Sequence, residues 1–179
     1  MTRVLAGDVG GTKTILRLVE ITDGARSITE IGSGLVTVSE ATYPSREYVD
    51  LVPLVRSFLA TAGVTKGSAD YPVRACFGLA GPVKHGVSRL TNLGWFLEDH
   101  RLAVALEIDR VDLINDFAAV GYGIVGLQAS DFHCLQPGQP QPGAPIAFLG
   151  AGTGLGQGYA LPLDAVSYTH LTLPTNREV

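Results

Sequence analysis

Near the amino terminus two apolar runs, RVLAGD at 3–8 and KTILRLVEI at 13–21, are separated only by Val9-Gly10-Gly11-Thr12. Runs this close, joined by a Gly-Gly pair, constrain the chain to fold back on itself as a β-hairpin. The rest of the chain must then pack onto that pair. A third strand is expected over 27–38, with Gly32 and Gly34 inside it. Tyr48, Leu51, Val52, Val55, Phe58, Leu59 and Ala62 then form a stripe with helical spacing. Pro53 is tolerated in that helix if Asp50 is the N-cap, which puts it in the first turn, and otherwise kinks it; Gly63 supplies the stop.

Downstream, VRACFGL at 73–79 ends at Ala80-Gly81-Pro82 and reads as a buried strand. Gly86 marks a further hairpin leading to Thr91-Asn92-Leu93-Gly94-Trp95, and 97–106 reads as a helix. RVDLI at 110–114 is a strand with Asn115-Asp116 at its carboxyl end, followed by an apolar helix over 117–126. A Pro/Gly-rich connector at 136–145 leads to a last strand that runs into GAGTGLGQG. The order predicts an α/β chain whose mixed sheet starts antiparallel and continues parallel.

Composition narrows the function. Apolar residues make up 46% of the 179, ample to offset ordering entropy, so a disordered chain is excluded. The net charge is −4, and no block of Lys or Arg exists, which argues against an extended nucleic-acid footprint. Cys76 and Cys134 stand far apart with no C-x-x-C pair, and the histidines at 85, 100, 133 and 170 lack metal-ligand spacing. The longest apolar stretch, 117–127, is too short to span a bilayer. A reduced, cytoplasmic protein without membrane contact is the expectation.

Glycine is in excess, 22 of 179 residues where about 7% is usual, and it concentrates where chemistry can occur. Gly7-Asp8-Val9-Gly10-Gly11-Thr12-Lys13 nearly matches a P-loop, but Thr12 stands where the second glycine must be and no helix follows. Two readings stay open: an ordinary hairpin turn, or a turn whose N–H groups converge on phosphate, with Asp8 holding Mg²⁺ directly or through water. In GAGTGLGQG the glycines alternate, leaving one strand face without side chains. That face favours a ligand or another backbone, with Thr153 as a hydroxyl donor. Asp116 fits an ordinary helix cap. At a strand's carboxyl end in an α/β protein it also fits a base accepting a proton from a substrate hydroxyl.

GDVGGTKT at 7–14, FGLAGPV at 77–83, LTNLGW at 90–95, INDFAAV at 114–120 and GAGTGLG at 150–156 occur in the order found in bacterial glucokinases. Over about residues 3–161 the chain resembles that family, whose fold is the actin-like, ribonuclease H-like one shared with Hsp70 and hexokinase. INDF, rather than the N-D-A form of the repressor/ORF/kinase group, favours glucokinase itself. The resemblance implies a kinase moving the γ-phosphoryl of ATP to the 6-hydroxyl of glucose, with ATP and Mg²⁺ bound, no nucleic-acid partner, and a homodimer in the full-length member. It implies a first phosphate loop of Gly7, Asp8, Val9, Gly10, Gly11 and Thr12, with Asp8 near Mg²⁺, and a second including Gly152, Thr153 and Gly154. Asp116 would be the base, Asn115 a partner of a sugar hydroxyl, and Asn92 with the 80–82 turn the wall of the sugar pocket. Residues 1–126 would form the small lobe and 127–163 the start of a truncated large lobe.

The family's E-G-G-H sugar-binding segment has no counterpart, since that stretch reads Thr172-Leu173-Pro174-Thr175-Asn176. Residues 164–179 read as a non-native tail, and the chain as written is expected to be inactive or nearly so. The alternatives are a sugar-sensing binding protein or repressor, or a non-catalytic ATP-binding module, on the same fold.

Overall fold

The computed structural model describes residues 2–21, 34–139, 141–151, 155–163 and 167–172. The hairpin forms as expected: β1 (Thr2–Val9) pairs antiparallel with β2 (Lys13–Ile21), Val9 opposite Thr14. In β1 the alternate residues Leu5 and Val9 are buried, the period-two pattern of a strand with one face in a core. The third strand, β3, is Leu35–Pro44 rather than 27–38, and 27–33 lie outside the described residues. It pairs with β2 as an edge strand, with a bulge at Leu18/Val19.

The stripe at 48–62 becomes α1 (Leu51–Thr61), capped by the Asp50 carboxylate accepting from Leu51 N–H at 2.7 Å. Pro53 falls in the first turn, where its missing N–H costs nothing, and Gly63, at φ 71°, ends the helix. The chain returns through β4 (Arg74–Leu79), parallel to β1, and makes a separate hairpin of β5 (Val87–Leu90) and β6 (Trp95–Glu98). The helix expected over 97–106 therefore begins later, as α2 (Asp99–Leu106). Leu97, which looked like its first apolar residue, is instead a buried inward residue of β6 beside Trp95. β7 (Arg110–Asn115) pairs parallel with β4 and runs into α3 (Asp116–Val125).

The sheet order is β3-β2-β1-β4-β7, antiparallel at first and parallel from β1 onward. In the apolar core cluster Leu5, Leu16, Phe77, Leu79 and Leu113 of the sheet meet Leu54, Val55 and Phe58 of α1 and Leu102 of α2. A left-handed turn occurs at the hairpin that Gly86 marked. His85 and Gly86 both have positive φ, 51° and 74°. Lys84 and Val87 exchange two backbone bonds around them, at 2.9 and 3.0 Å.

The chain divides into two compact units, with the break between Asp116 and Phe117. In the second, β8 (Ile146–Ala151), β9 (Leu155–Leu163) and β10 (Ser167–Thr172) form an antiparallel sheet in the order β10-β9-β8. β10 lies in the segment that the sequence set aside as a tail, and its backbone pairs with β9, Thr169 opposite Leu161. Among the described residues no helix is long and apolar enough to cross a membrane.

Candidate active site

The parallel strands bring three carboxyl ends to one rim. Asp8 aligns with Gly78 and Gly78 with Ile114; one step on, Val9 aligns with Leu79 and Leu79 with Asn115. β4 thus stands between the strand carrying Asp8 and the strand leading to Asp116, and the Ala80-Gly81-Pro82 turn emerges between the two acids. Ala80 N–H donates to the Val9 carbonyl at 3.0 Å, which ties the turn to β1. Such rims, outside the carboxyl ends of strands, are where α/β sheets bind ligands.

Asn115 holds this rim together. Its amide nitrogen donates to the Gly81 carbonyl at 3.0 Å and to Asp116 Oδ1 at 2.9 Å. An amide NH₂ carries two protons, so one side chain both anchors the turn and orients the acid. The Asp8 carboxyl is held above the ordinary aspartate range, first by partial loss of hydration and next by repulsion from Asp116, while Lys13 opposes the shift. The two carboxylates therefore sense each other across the end of β4. Among the described residues no group of three or more His, Cys, Asp or Glu could cage a metal alone. One or two carboxylates fit a Mg²⁺ that completes its shell with phosphate oxygens and water.

The glycine turn lies beside this rim. Gly10 N–H donates to the Lys13 carbonyl at 3.0 Å. A Cβ on Gly11 would touch the Asn92 side chain at 3.5–3.6 Å, so Asn92, in the turn between β5 and β6, adjoins the tip. Neither Gly10 nor Gly11 is among the positive-φ glycines. Val9 is fully buried and directs its side chain into the core. At Gly7 the missing side chain makes room for packing: a Cβ there would stand 2.5 Å from the Phe77 ring and 2.9 Å from Leu16.

Two residues that sequence reasoning passed over grip the same turn. Ser45, fully buried, donates from Oγ to the Gly10 carbonyl at 2.8 Å and from its N–H to the Thr12 carbonyl at 3.0 Å. Its Oγ also lies 2.9 Å from Thr14 Oγ1, likewise fully buried. A serine after Tyr-Pro carries no motif, and only the folded register brings it to the hairpin.

In the second unit the alternating glycines have an aromatic explanation. A Cβ on Gly150 or Gly156 would come within 2.7 or 2.6 Å of the Phe117 ring, and one on Gly158 within 2.7 Å of Phe148. The bare strand face read as a ligand surface is covered there by two rings packed at 5.3 Å between centroids. Gly152, Thr153 and Gly154 lie outside the described residues. Trp95 is core, with Nε1 donating to the Tyr48 carbonyl at 3.2 Å. Grooves of about 290 and 230 Å³ around Tyr71 and Glu107 lie at the opposite, amino-terminal ends of β4 and β7. There Lys66 and Glu107 pair with each other, away from the strand ends that carry Asp8 and Asp116.

Comparison with known proteins agrees with the motif order. The family model described as Glucokinase matches residues 5–174. A glucokinase of Nostoc punctiforme is 51% identical over 161 residues, covering 90% of this chain and 43% of the relative. The crystal structure of a glucokinase from an Antarctic psychrotroph superposes with a TM-score of 0.80 at 29% identity, over 97% of this chain and 50% of that one. A glucokinase of the repressor/ORF/kinase family from Streptomyces griseus, solved with glucose and AMPPNP, shares the fold at 20% identity and a TM-score of 0.58, over 93% and 47% of the two chains. The chain thus spans about half the length of the relatives it matches.

Proposed function

This chain belongs to the glucokinase family, and from that premise we propose that it carries the sugar site and first phosphate site of a hexose kinase. The reaction is transfer of the γ-phosphoryl of ATP to the 6-hydroxyl of glucose, in the reducing cytoplasm that its two unpaired cysteines fit. The observation that carries this reading is the Asn115 bridge between Gly81 and Asp116, on a rim that also holds the glycine turn and Asn92. The Streptomyces griseus relative's complex with glucose and AMPPNP supports the same pair of ligands.

In this mechanism Asp116 accepts the proton of the 6-hydroxyl as that oxygen attacks the γ-phosphorus, and the bond from that phosphorus to the β–γ bridging oxygen breaks to release ADP. Asn115 keeps the carboxylate oriented to accept that proton, and its Oδ1 accepts from a ring hydroxyl. Asn92 and the 80–82 turn wall the sugar. Gly11 and Thr12 offer backbone N–H groups to phosphate oxygens from the turn that Gly10 shapes, its own N–H being bonded to the Lys13 carbonyl, and Gly152, Thr153 and Gly154 would belong to a second phosphate loop, as the family resemblance implies. Asp8, directly or through water, would hold the Mg²⁺ that neutralises charge on the phosphates.

Titration of glucose and of MgATP separately into the chain tests the assignment. Glucose binding that Asn115→Ala weakens by about tenfold or more is expected. Glucose binding indifferent to Asn115→Ala, or none at all, overturns it. Turnover by the 179-residue chain is expected near background. It covers 43% of the Nostoc relative, and correct orientation of reactants is worth roughly 7–11 kcal/mol of barrier.

A further inference from the structure

Hydrogen-bond direction decides what Ser45 does. The Gly10 carbonyl can only accept, so the single hydroxyl proton of Ser45 goes to it. Thr14 must then donate its own proton to Ser45 Oγ. The result is a directed chain, Thr14 O–H to Ser45 O–H to Gly10 C=O, joined by the Ser45 N–H donated to the Thr12 carbonyl. Two carbonyls on either side of Gly11 are thereby turned toward one buried residue.

A trans peptide is planar, with its C=O and the following N–H pointing in opposite directions. Holding the Gly10 and Thr12 carbonyls on Ser45 therefore aims the N–H groups of Gly11 and Lys13 the other way. The turn at Lys84–Val87 serves as an internal comparison. There both closing bonds are made and both flanking carbonyls and amides satisfy each other. At Gly10–Lys13 the bond from Gly10 N–H to the Lys13 carbonyl is made, while the Gly10 carbonyl is held by Ser45. Glycine on both sides of the 10–11 peptide leaves it little intrinsic resistance to flipping, and a flipped carbonyl would present negative charge to an anion.

We propose that Ser45, backed by Thr14, is the positioning residue of the first phosphate turn: its hydroxyl locks the 10–11 peptide and its N–H the 12–13 peptide, so that the Gly11 and Lys13 N–H groups face the polyphosphate. This rests on the phosphate reading of that turn. Neither residue touches the ligand.

The probe is inorganic tripolyphosphate, titrated into ¹⁵N-labelled chain while the Gly11 and Lys13 amide resonances are followed, with glucose titrated in parallel. Both amides shift in the unsubstituted chain. Ser45→Ala weakens tripolyphosphate by about tenfold, with glucose affinity within about twofold, and Thr14→Val gives a smaller loss of the same kind. Should Ser45→Ala not fold, Thr14→Val, which removes only the upstream donor and keeps the shape, carries the comparison. Unchanged tripolyphosphate affinity in a folded variant, or equal losses for tripolyphosphate and glucose, overturns the positioning role. Glucose binding without any tripolyphosphate response in the unsubstituted chain overturns the phosphate reading of the turn and this role with it, leaving the sugar site standing. No response to either ligand overturns all three.

Discussion

Cys76 and Cys134 place the same thiol in opposite settings. Cys134 is exposed, whereas Cys76 sits in β4 between Ala6 of β1 and Asp112 of β7. Burial, and then the Asp112 charge, push the Cys76 thiol above its ordinary range. Only the thiolate reacts; the raised pKa of Cys76 lowers its thiolate share, and its access is poorer than that of Cys134. At pH 8 iodoacetamide should therefore label Cys134 faster than Cys76 by about tenfold or more. Peptide mass spectrometry before and after urea unfolding measures this; equal native rates would show that β4 is open to solvent. The partial burial of Cys76 was legible in its apolar run, as were Asn115 and Asp116 at a strand's end. Ser45 was not, because its partners Thr14 and Gly10 lie 31 and 35 residues away and no local pattern links them.

Elements were legible where one residue set a boundary. Asp50, Pro53 and Gly63 bracketed α1 in the sequence because capping and proline geometry are local rules. Asp50 has a second task that sequence does not show: Arg101 of α2 donates to both of its oxygens, at 2.6 and 3.2 Å. Asp50→Ala removes the cap and strips Arg101 of that partner. The expected loss is about 1–2 kcal/mol in urea denaturation, of which Asp50→Asn recovers the capping part. If Asp50→Asn is as damaging as Asp50→Ala, the ion pair and not the cap is what matters. The β5–β6 hairpin was harder, since its strands are four residues each and Leu97 continues a helical-looking spacing. Its entry turn gives a paired prediction. His85→Gly relieves a left-handed β-carbon and should stabilise by about 1 kcal/mol. Gly86→Ala should destabilise by more than that, because its new Cβ would stand 2.0 Å from Asp99 Oδ2. Thermal melts of the two variants should move in opposite directions.

At the scale of the whole chain, the mixed sheet followed from the hairpin and from the later alternation of strands and helices, and the motif order led to the right family. At Gly150, Gly156 and Gly158 the alternation is explained by rings of Phe117 in α3 and Phe148 in β8 that fill the space, contacts that periodicity cannot register. The described apolar core belongs to the first unit, from Leu5 to Leu113. The second unit buries Phe148, Ala118 and Ala160 but leaves Leu149 and Leu155 at 72% and 58% exposure. With less apolar surface removed from water, the second unit should have the lower local stability. Amides of β8 and β9 should therefore exchange with deuterium at lower urea than those of β1, β4 and β7. Phe77→Ala should lower the stability of the first unit by about 3–5 kcal/mol. Phe148→Ala should speed exchange in β8 and β9 and leave the β1 and β4 amides as they were. If either substitution destabilises both sets of amides equally, the two units unfold as one cooperative body, and the weaker packing around Phe148 is not a separate weakness of this chain.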